Sequence, residues 1–264
     1  LKAALNARVE KLIYTSSPSV ALGKGQLKVS GASESELGYP ENHESFYSKS
    51  KAMSENLVLG NLQVPFKNHQ LLELPQHSTL RKDLAESKLL RVAIRPHLIY
   101  GEGDNHIFPK IIEKFNQQQL KIIGDGQNKV DVTYVENGAY AHLLALEKLF
   151  SDPEAVHQKA FFIGQESPVL LWDFIEKLIG TQFLVTPENS LKNKRKIPFK
   201  RALIVSKILE QLSPIFPQKL KEKLPTPFVV SMLGLDHYFS QQAAETFLGY
   251  RPLISTEMSL TKMS

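Results

Sequence analysis

The chain has 264 residues, 42% of them hydrophobic and 22% charged, with a formal net charge of +5 and no cysteine. That length suffices for one large α/β domain or two small ones, and the composition is that of an ordinary globular protein. The lack of cysteine excludes disulfides, iron–sulfur ligation and thiolate zinc sites, which fits a reducing, cytoplasmic setting. The eight histidines show no metal-like spacing and no apolar run approaches the ~18 residues of a membrane span. No metal and no nucleic-acid partner is expected.

In chain order, Leu1-Lys2-Ala3-Ala4-Leu5 reads as the middle of a helix, with no initiating Met, no cap and no signal-peptide pattern. The expectation is a piece of a longer gene product. Residues 11–17 form a short apolar run ending in small hydroxyl residues, the pattern of a buried parallel strand. Residues 20–45, rich in Gly, Ser, Glu and Pro, read as a long loop, and residues 47–59 as a helix. Residues 60–88 resist assignment, and 61–77 show no clean period. Arg91-Val92-Ala93-Ile94-Arg95-Pro96 is a second buried strand stopped by proline. Residues 107–117 predict a helix, 120–123 a short strand, 135–150 a helix with apolar residues at helical spacing, 160–164 a third strand and 170–179 a helix. Strands separated by helices imply a parallel sheet with crossovers.

Tyr47 and Lys51 carry the first chemical signal. Four residues apart on a helix, they share one face. A phenol titrates near ~10 in water; an ammonium beside it favours the phenolate, so that a tyrosine can exchange a proton with an alcohol. The plain alternative is an exposed Tyr lying over a Lys stem. Ser17 stands where a strand ends, and in open α/β sheets ligands bind outside the carboxyl ends of strands. Its hydroxyl could hold a substrate oxygen, or it could merely cap a loop, a role for which Ser16 and Ser19 are the better candidates.

Larger motifs follow in order. They are Tyr14-Thr15-Ser16-Ser17-Pro18-Ser19-Val20, Tyr47-Ser48-Lys49-Ser50-Lys51, the run from Arg95-Pro96-His97-Leu98-Ile99-Tyr100-Gly101 to Glu102-Gly103-Asp104-Asn105-His106, Gly124-Asp125-Gly126-Gln127-Asn128, Tyr134-Val135-Glu136-Asn137 and Leu248-Gly249-Tyr250-Arg251-Pro252. Together they resemble the extended short-chain dehydrogenase/reductase superfamily in its 3β-hydroxysteroid dehydrogenase-like branch. Within that branch, Pro18-Ser19-Val20 and Gly103-Asp104-Asn105-His106 look most like bacterial 2-alkyl-3-oxoalkanoate reductases, with sterol-4-carboxylate 3-dehydrogenases close behind.

The resemblance implies an α/β fold: a Rossmann-like doubly wound parallel sheet lacking its first strands, with a smaller, mostly helical C-terminal substrate region. Residues 1–100 would be the remainder of the dinucleotide-binding domain, and 101–264 the substrate region interleaved with the last sheet strands. It implies NAD or NADP as cofactor, a small hydrophobic substrate and a possible homodimer. By the same resemblance Tyr47 is the acid/base, Lys51 tunes it and binds the nicotinamide ribose, and Ser17 holds the substrate oxygen. Pro96, His97, Leu98 and Ile99 form the loop beside the nicotinamide, contacting it through backbone groups, and His97 is not expected to be catalytic. Asp125 and Asp131 are read as loop-ordering carboxylates, and Gly124–Gly126 as a connector. Relatives that epimerise or dehydrate sugar nucleotides share the Ser and Tyr-x-x-x-Lys chemistry, and an inactive truncated paralogue is a third reading.

Two departures stand out. The strand, glycine-rich turn and helix that hold the pyrophosphate in this family are not in the sequence, and residues 61–90 are longer than this crossover should need. Separately, Lys192, Lys194, Arg195, Lys196, Lys200 and Arg201 precede an apolar set at Phe199, Leu203, Ile204, Ile208, Leu212, Ile215 and Phe216. Residues 192–216 are thus a candidate peripheral contact with an anionic membrane, or else an ordinary core-packing helix. The first departure yields a prediction. The purified 264-residue chain should bind NAD(H) or NADP(H) more weakly than micromolar, and micromolar binding in a calorimetric titration would refute it.

Overall fold

The computed structural model describes residues 1–25, 28–60, 75–105, 107–218 and 224–264, with the side chains of 75–79 and 81 left aside. His106 and residues 61–74, the greater part of the segment without a clean period, lie outside the described residues.

After a short helix α1 (Lys2–Asn6), strand β1 (Lys11–Thr15) leads through β2 (Val29–Ala32) to helix α2 (Phe46–Leu59), then α3 (Pro75–Glu86) and β3 (Leu90–Pro96). There follow β4 (Ile99–Tyr100), α4 (Phe108–Asn116), β5 (Ile122–Ile123), β6 (Lys129–Val130), β7 (Thr133–Tyr134), α5 (Val135–Ser151), α6 (Pro153–Val156) and β8 (Ala160–Ile163). The last part holds β9 (Val169–Leu170), α7 (Leu171–Gly180), β10 (Lys196–Ile197), α8 (Phe199–Leu212), a helix Pro227–Gly234, β11 (His237–Phe239) and a helix Thr256–Lys262.

β1, β3 and β8 form a parallel sheet in that order, with Lys11 opposite Leu90 and Ala93 opposite Ala160. β3 is central, and Arg91–Pro96 are all buried, as a strand covered on both faces requires. Because side chains alternate along a strand, Val92 and Ile94 face one way. They pack with Ala141, Ala145 and Leu149 of α5 and with Phe161 and Ile163 of β8. Arg95 points the other way, to α2. Helices on both faces of a parallel sheet make the doubly wound, Rossmann-like architecture expected from the sequence.

α2 starts where Ser45 accepts the Ser48 amide at 3.1 Å and stops at Gly60, whose φ of +81° only glycine adopts without penalty. It begins one residue before the sequence expectation. Residues 20–45 are a correction: they are not loop throughout. Pro18–Ala21 make a 3-10 turn, and Val29–Ala32 pair in parallel with β11 from the far end of the chain. No local period could announce a four-residue strand whose partner is so distant in sequence.

β11 then joins β6, and β6 joins β9, in a second, four-stranded sheet. Around it Tyr100, Phe108, Val132, Tyr134, Trp172, Phe174 and Leu178 build another core with the C-terminal helices. Asp131 lies between the two sheets. It does order the chain, accepting the Phe239 amide at 2.7 Å through Oδ2, and Asp125 likewise accepts the Gln127 amide at 2.9 Å. The other oxygen of Asp131 has no partner among the described residues, and burial pushes its pKa up to about 7 from 3.8.

A raised carboxyl pKa means that the fold holds the proton more tightly than the unfolded chain does. The stability it contributes is full below about pH 4 and is lost as the pH rises through about 7. Thermal unfolding followed by circular dichroism should therefore show a midpoint that falls between about pH 5 and pH 8 in the wild type. In Asp131→Asn that fall should shrink, and an identical pH dependence in both proteins would contradict it.

Candidate active site

The end of β1 organises the site. The Lys51 ammonium donates to the carbonyl oxygen of Thr15, the last residue of β1, at 3.0 Å, and lies 5.2 Å from the centre of the Tyr14 ring. This contact draws the first turns of α2 onto the strand end. Tyr47, one turn earlier on the same helix, is 52% exposed, and its phenol makes no hydrogen bond among the described residues. Ser17 stands two residues beyond Thr15. Lys51 is thus tied to the last residue of β1, with Tyr47 one turn before it on α2 and Ser17 two residues past the strand end.

Ser17 also does the capping that was expected of its neighbours, which corrects that expectation. Its Oγ accepts from the Ser19 amide at 3.3 Å and from the Ser19 hydroxyl at 3.0 Å. A serine hydroxyl has two lone pairs and one hydrogen, so both acceptor positions are taken and the hydrogen is left to donate. Capping and substrate binding are compatible here: the first orients the second. Ser16, by contrast, is buried with its hydroxyl unpartnered among the described residues.

Thr15 is held from the other side. Its Oγ1 lies 2.8 Å from His142 Nε2, while His142 Nδ1 lies 2.7 Å from the Gly138 carbonyl. A carbonyl only accepts, so Nδ1 carries a hydrogen, and in the neutral ring Nε2 receives the Thr15 hydroxyl. Sequence reasoning passed over His142, which has no motif around it.

The loop after β3 is clamped by another residue missed in the sequence, the fully buried Thr133. Its hydroxyl lies 2.9 Å from the His97 carbonyl and 3.0 Å from that of Ile163, and its amide reaches the Leu98 carbonyl at 3.3 Å. Leu98 has φ +41°, a setting that costs a non-glycine residue about 1–2 kcal/mol. The backbone between Pro96 and Ile99 is thus held in a strained course by its neighbours. The His97 ring turns away to pack edge-on against His237 and Phe239. Burial first, and the neighbouring His237 second, lower its pKa to about 3. That keeps the imidazole neutral.

The late motifs interlock with this frame. Asn137 donates to Gln165 and to the Ile254 carbonyl at 2.7 Å each, and the Tyr250 hydroxyl donates to the Gly164 carbonyl at 2.9 Å. The donor set at the strand end suits the nicotinamide ribose half of a dinucleotide. It offers an ammonium with N–H groups to spare, an open phenol and the unpartnered Ser16 hydroxyl.

Residues 1–192 match the model of the 3-beta hydroxysteroid dehydrogenase/isomerase family. The chain belongs to that family. It is 30% identical over 256 residues to a 2-alkyl-3-oxoalkanoate reductase of Stenotrophomonas maltophilia, covering 97% of this chain and 68% of that one. It is 32% identical over 268 residues to a bovine (Bos taurus) sterol-4-alpha-carboxylate 3-dehydrogenase, decarboxylating, covering 97% and 64%. Among solved structures, gox2253 superposes with a TM-score of 0.62 at 20% identity, over 98% of this chain and 66% of that one. A UDP-glucuronic acid 4-epimerase from Bacillus cereus in complex with NAD gives 0.57 at 18%, over 98% and 61%. At such identities the superpositions show the shared fold alone. The chain spans 68% of the length of the first of these relatives and as little as 42% of that of a 3beta-hydroxysteroid-dehydrogenase/decarboxylase of Arabidopsis thaliana.

Proposed function

We propose that the protein is an NAD(P)-dependent oxidoreductase that interconverts a secondary alcohol and a ketone on a hydrophobic, lipid-like substrate, a 3β-hydroxysteroid or sterol, or a 2-alkyl-3-oxoalkanoate. The observation that supports this reading is the Lys51–Thr15 hydrogen bond, which ties the helix that carries Tyr47 to the strand that leads to Ser17. The names of the relatives, a reductase and a sterol dehydrogenase, support the substrate class. The nicotinamide, when bound, takes up or supplies the hydride. Lys51 and Tyr47 would hold its ribose, with Pro96, His97, Leu98 and Ile99 alongside through their backbone.

Each side chain then has one task. Ser17, its lone pairs filled by Ser19, points its hydrogen at the substrate oxygen. Tyr47 removes the proton from that oxygen in the oxidative direction and returns it in the reductive one. Lys51 stabilises the negative charge that gathers on the phenol oxygen meanwhile. In this reading residues 1–100 belong to the dinucleotide-binding part and residues 101–264 to the substrate part.

The sugar-nucleotide reading has weaker support: a UDP-glucuronic acid 4-epimerase shares the fold at 18% identity, whereas the reductase and the sterol dehydrogenase are 30% and 32% identical.

No helix among the described residues is long and apolar enough to cross a membrane. α8, however, exposes Ile204, Val205, Ile208 and Leu212, and Ile215 follows at 75% exposure, beside exposed Lys200, Arg201 and Lys207. This apolar stripe flanked by cations supports a cytoplasmic protein in peripheral contact with an anionic membrane through 192–216, from which a lipid-like substrate could be drawn. A homodimer completes the reading.

Two experiments test it. In the full-length gene product, Tyr47→Phe should lower kcat by about 10²–10⁴-fold with substrate affinity retained, and undiminished turnover would overturn the assignment. Co-sedimentation with phosphatidylserine-containing vesicles should drop when the six basic residues from Lys192 to Arg201 are replaced by glutamine; pelleting that ignores their loss would remove the membrane contact.

A further inference from the structure

Two deeply buried, oppositely charged side chains stand outside the roles assigned above. Glu55 of α2 is fully buried and the Arg95 side chain is 5% exposed. Arg95 Nε donates to both carboxylate oxygens, at 3.2 and 3.0 Å, and Nη2 donates to Oε1 at 2.6 Å. The guanidinium lies between two rings, with its carbon 5.6 Å from the centre of Tyr39 and 5.2 Å from that of Phe162. Tyr39 completes the cluster. Its hydroxyl donates to Glu55 and accepts from Arg95 Nη2 at 3.3 Å.

The position of this pair decides what it can do. Tyr47, Lys51 and Glu55 follow one another at intervals of four residues. At 3.6 residues per turn each step advances about 40° and about 6 Å, so the three lie along one slowly turning ridge of α2. The outer end of the ridge carries the phenol, the middle is tied to β1 through Thr15, and the inner end is tied to β3 through Arg95. Arg95 in turn immediately precedes Pro96, the first residue of the loop beside the nicotinamide. One buried contact therefore joins the helix that bears the acid/base to the strand that bears the loop.

A pair of this kind is a poor way to gain stability alone. Desolvating both ions offsets most of their attraction, and well-packed apolar residues of similar volume often do as well or better. What an apolar contact lacks is direction. The planar guanidinium fork accepts a carboxylate in a narrow range of settings, whereas methylene surfaces tolerate sliding and rotation. Without the pair, the polar contacts that tie α2 to the sheet among the described residues lie on β1 alone, at Thr15 and Tyr14, and α2 could still turn about that edge. The second anchor removes the freedom.

We propose that Glu55 and Arg95 are positioning residues for the proposed reaction: their buried ion pair, braced by Tyr39, sets the rotation of α2 and so the separation between the Tyr47 oxygen and the Pro96–Ile99 loop. This rests on the oxidoreductase reading above. It adds that the pair serves the rate of the chemical step rather than the binding of either ligand. Misplacement of a reacting group by about 1 Å can cost about a hundredfold in rate, so a small rotation is enough.

The test uses the full-length gene product with both charges removed together, Glu55→Met with Arg95→Met, so that neither ion is left buried alone. The double variant should unfold cooperatively at a midpoint within a few degrees of the wild type. Its KM for substrate and for nucleotide should stay within about threefold, while kcat falls at least tenfold. A folded double variant with wild-type kcat overturns the proposal, as does a kcat loss that merely tracks the folded fraction. If the double variant does not fold, Arg95→Lys, which keeps the charge and loses the fork, takes its place. It should show the same loss in kcat at unchanged KM, and wild-type kcat there overturns the proposal equally. Tyr47→Phe in the same assay separates the two readings. Full turnover in that variant sinks the acid/base assignment itself, whereas loss there with full turnover in the double variant sinks only the positioning role.

Discussion

The hydrogen bond from the Lys51 ammonium to the Thr15 carbonyl is the contact on which the rest of the site depends. A lysine on an exposed helix face would ordinarily sweep a wide volume at the end of four methylenes. Here a strand-end carbonyl fixes its head, the Tyr14 ring lies beneath it, and the helix is brought to bear on the place where Ser17 emerges. Thr15 can serve as that anchor because it is itself held, through its hydroxyl, by His142 of α5 on the other face of the sheet. The Tyr47–Lys51 face of α2 is thereby referenced to a second helix across the sheet. Such cross-bracing is what a preorganised proton-transfer site needs.

The interior shows a division of labour between apolar and polar residues. Val92, Ile94, Phe161 and Leu149 supply bulk and dryness on the α5 side. On the α2 side the same strand spends its side chains on Arg91 and Arg95, and beyond the strand end Thr133, Asn137 and Gln165 form a buried polar frame. That frame fixes the course of residues whose backbone has to be held against its preference, Leu98 above all. Not every buried polar atom is engaged: Arg91 Nε and Nη1 and one oxygen of Asp131 have no partner among the described residues. Asp131, its other oxygen on the Phe239 amide, makes its surroundings sensitive to pH in a range where most carboxylates are not.

Much of this was legible in the residues. The parallel strands at β1, β3 and β8 were announced by short apolar runs, and α2, α4, α5 and α7 by their period, each to within a residue or two. Tyr47, Lys51 and Ser17 were found because two are a helical turn apart and the third ends a strand. Illegible were β2, whose partner β11 lies near the other end of the chain, and the choice of which serine caps the turn after β1. His142 and Thr133 were missed because nothing within a few residues of either signals that a strand end or a loop will arrive beside it.

By itself, the sequence determined the periodicities, the alternation of strands with helices and the ridge on which Tyr47, Lys51 and Glu55 stand. All of these follow from backbone geometry acting over a few neighbouring residues. Only the tertiary structure decided that the Lys51 ammonium reaches the Thr15 carbonyl, and that α8 turns its apolar stripe outward. It alone brought Arg95 to Glu55, forty residues apart. Those outcomes depend on which surfaces meet once the crossovers close, and the energy of burying a charge or exposing a methylene is set by that meeting rather than by the residues considered one at a time.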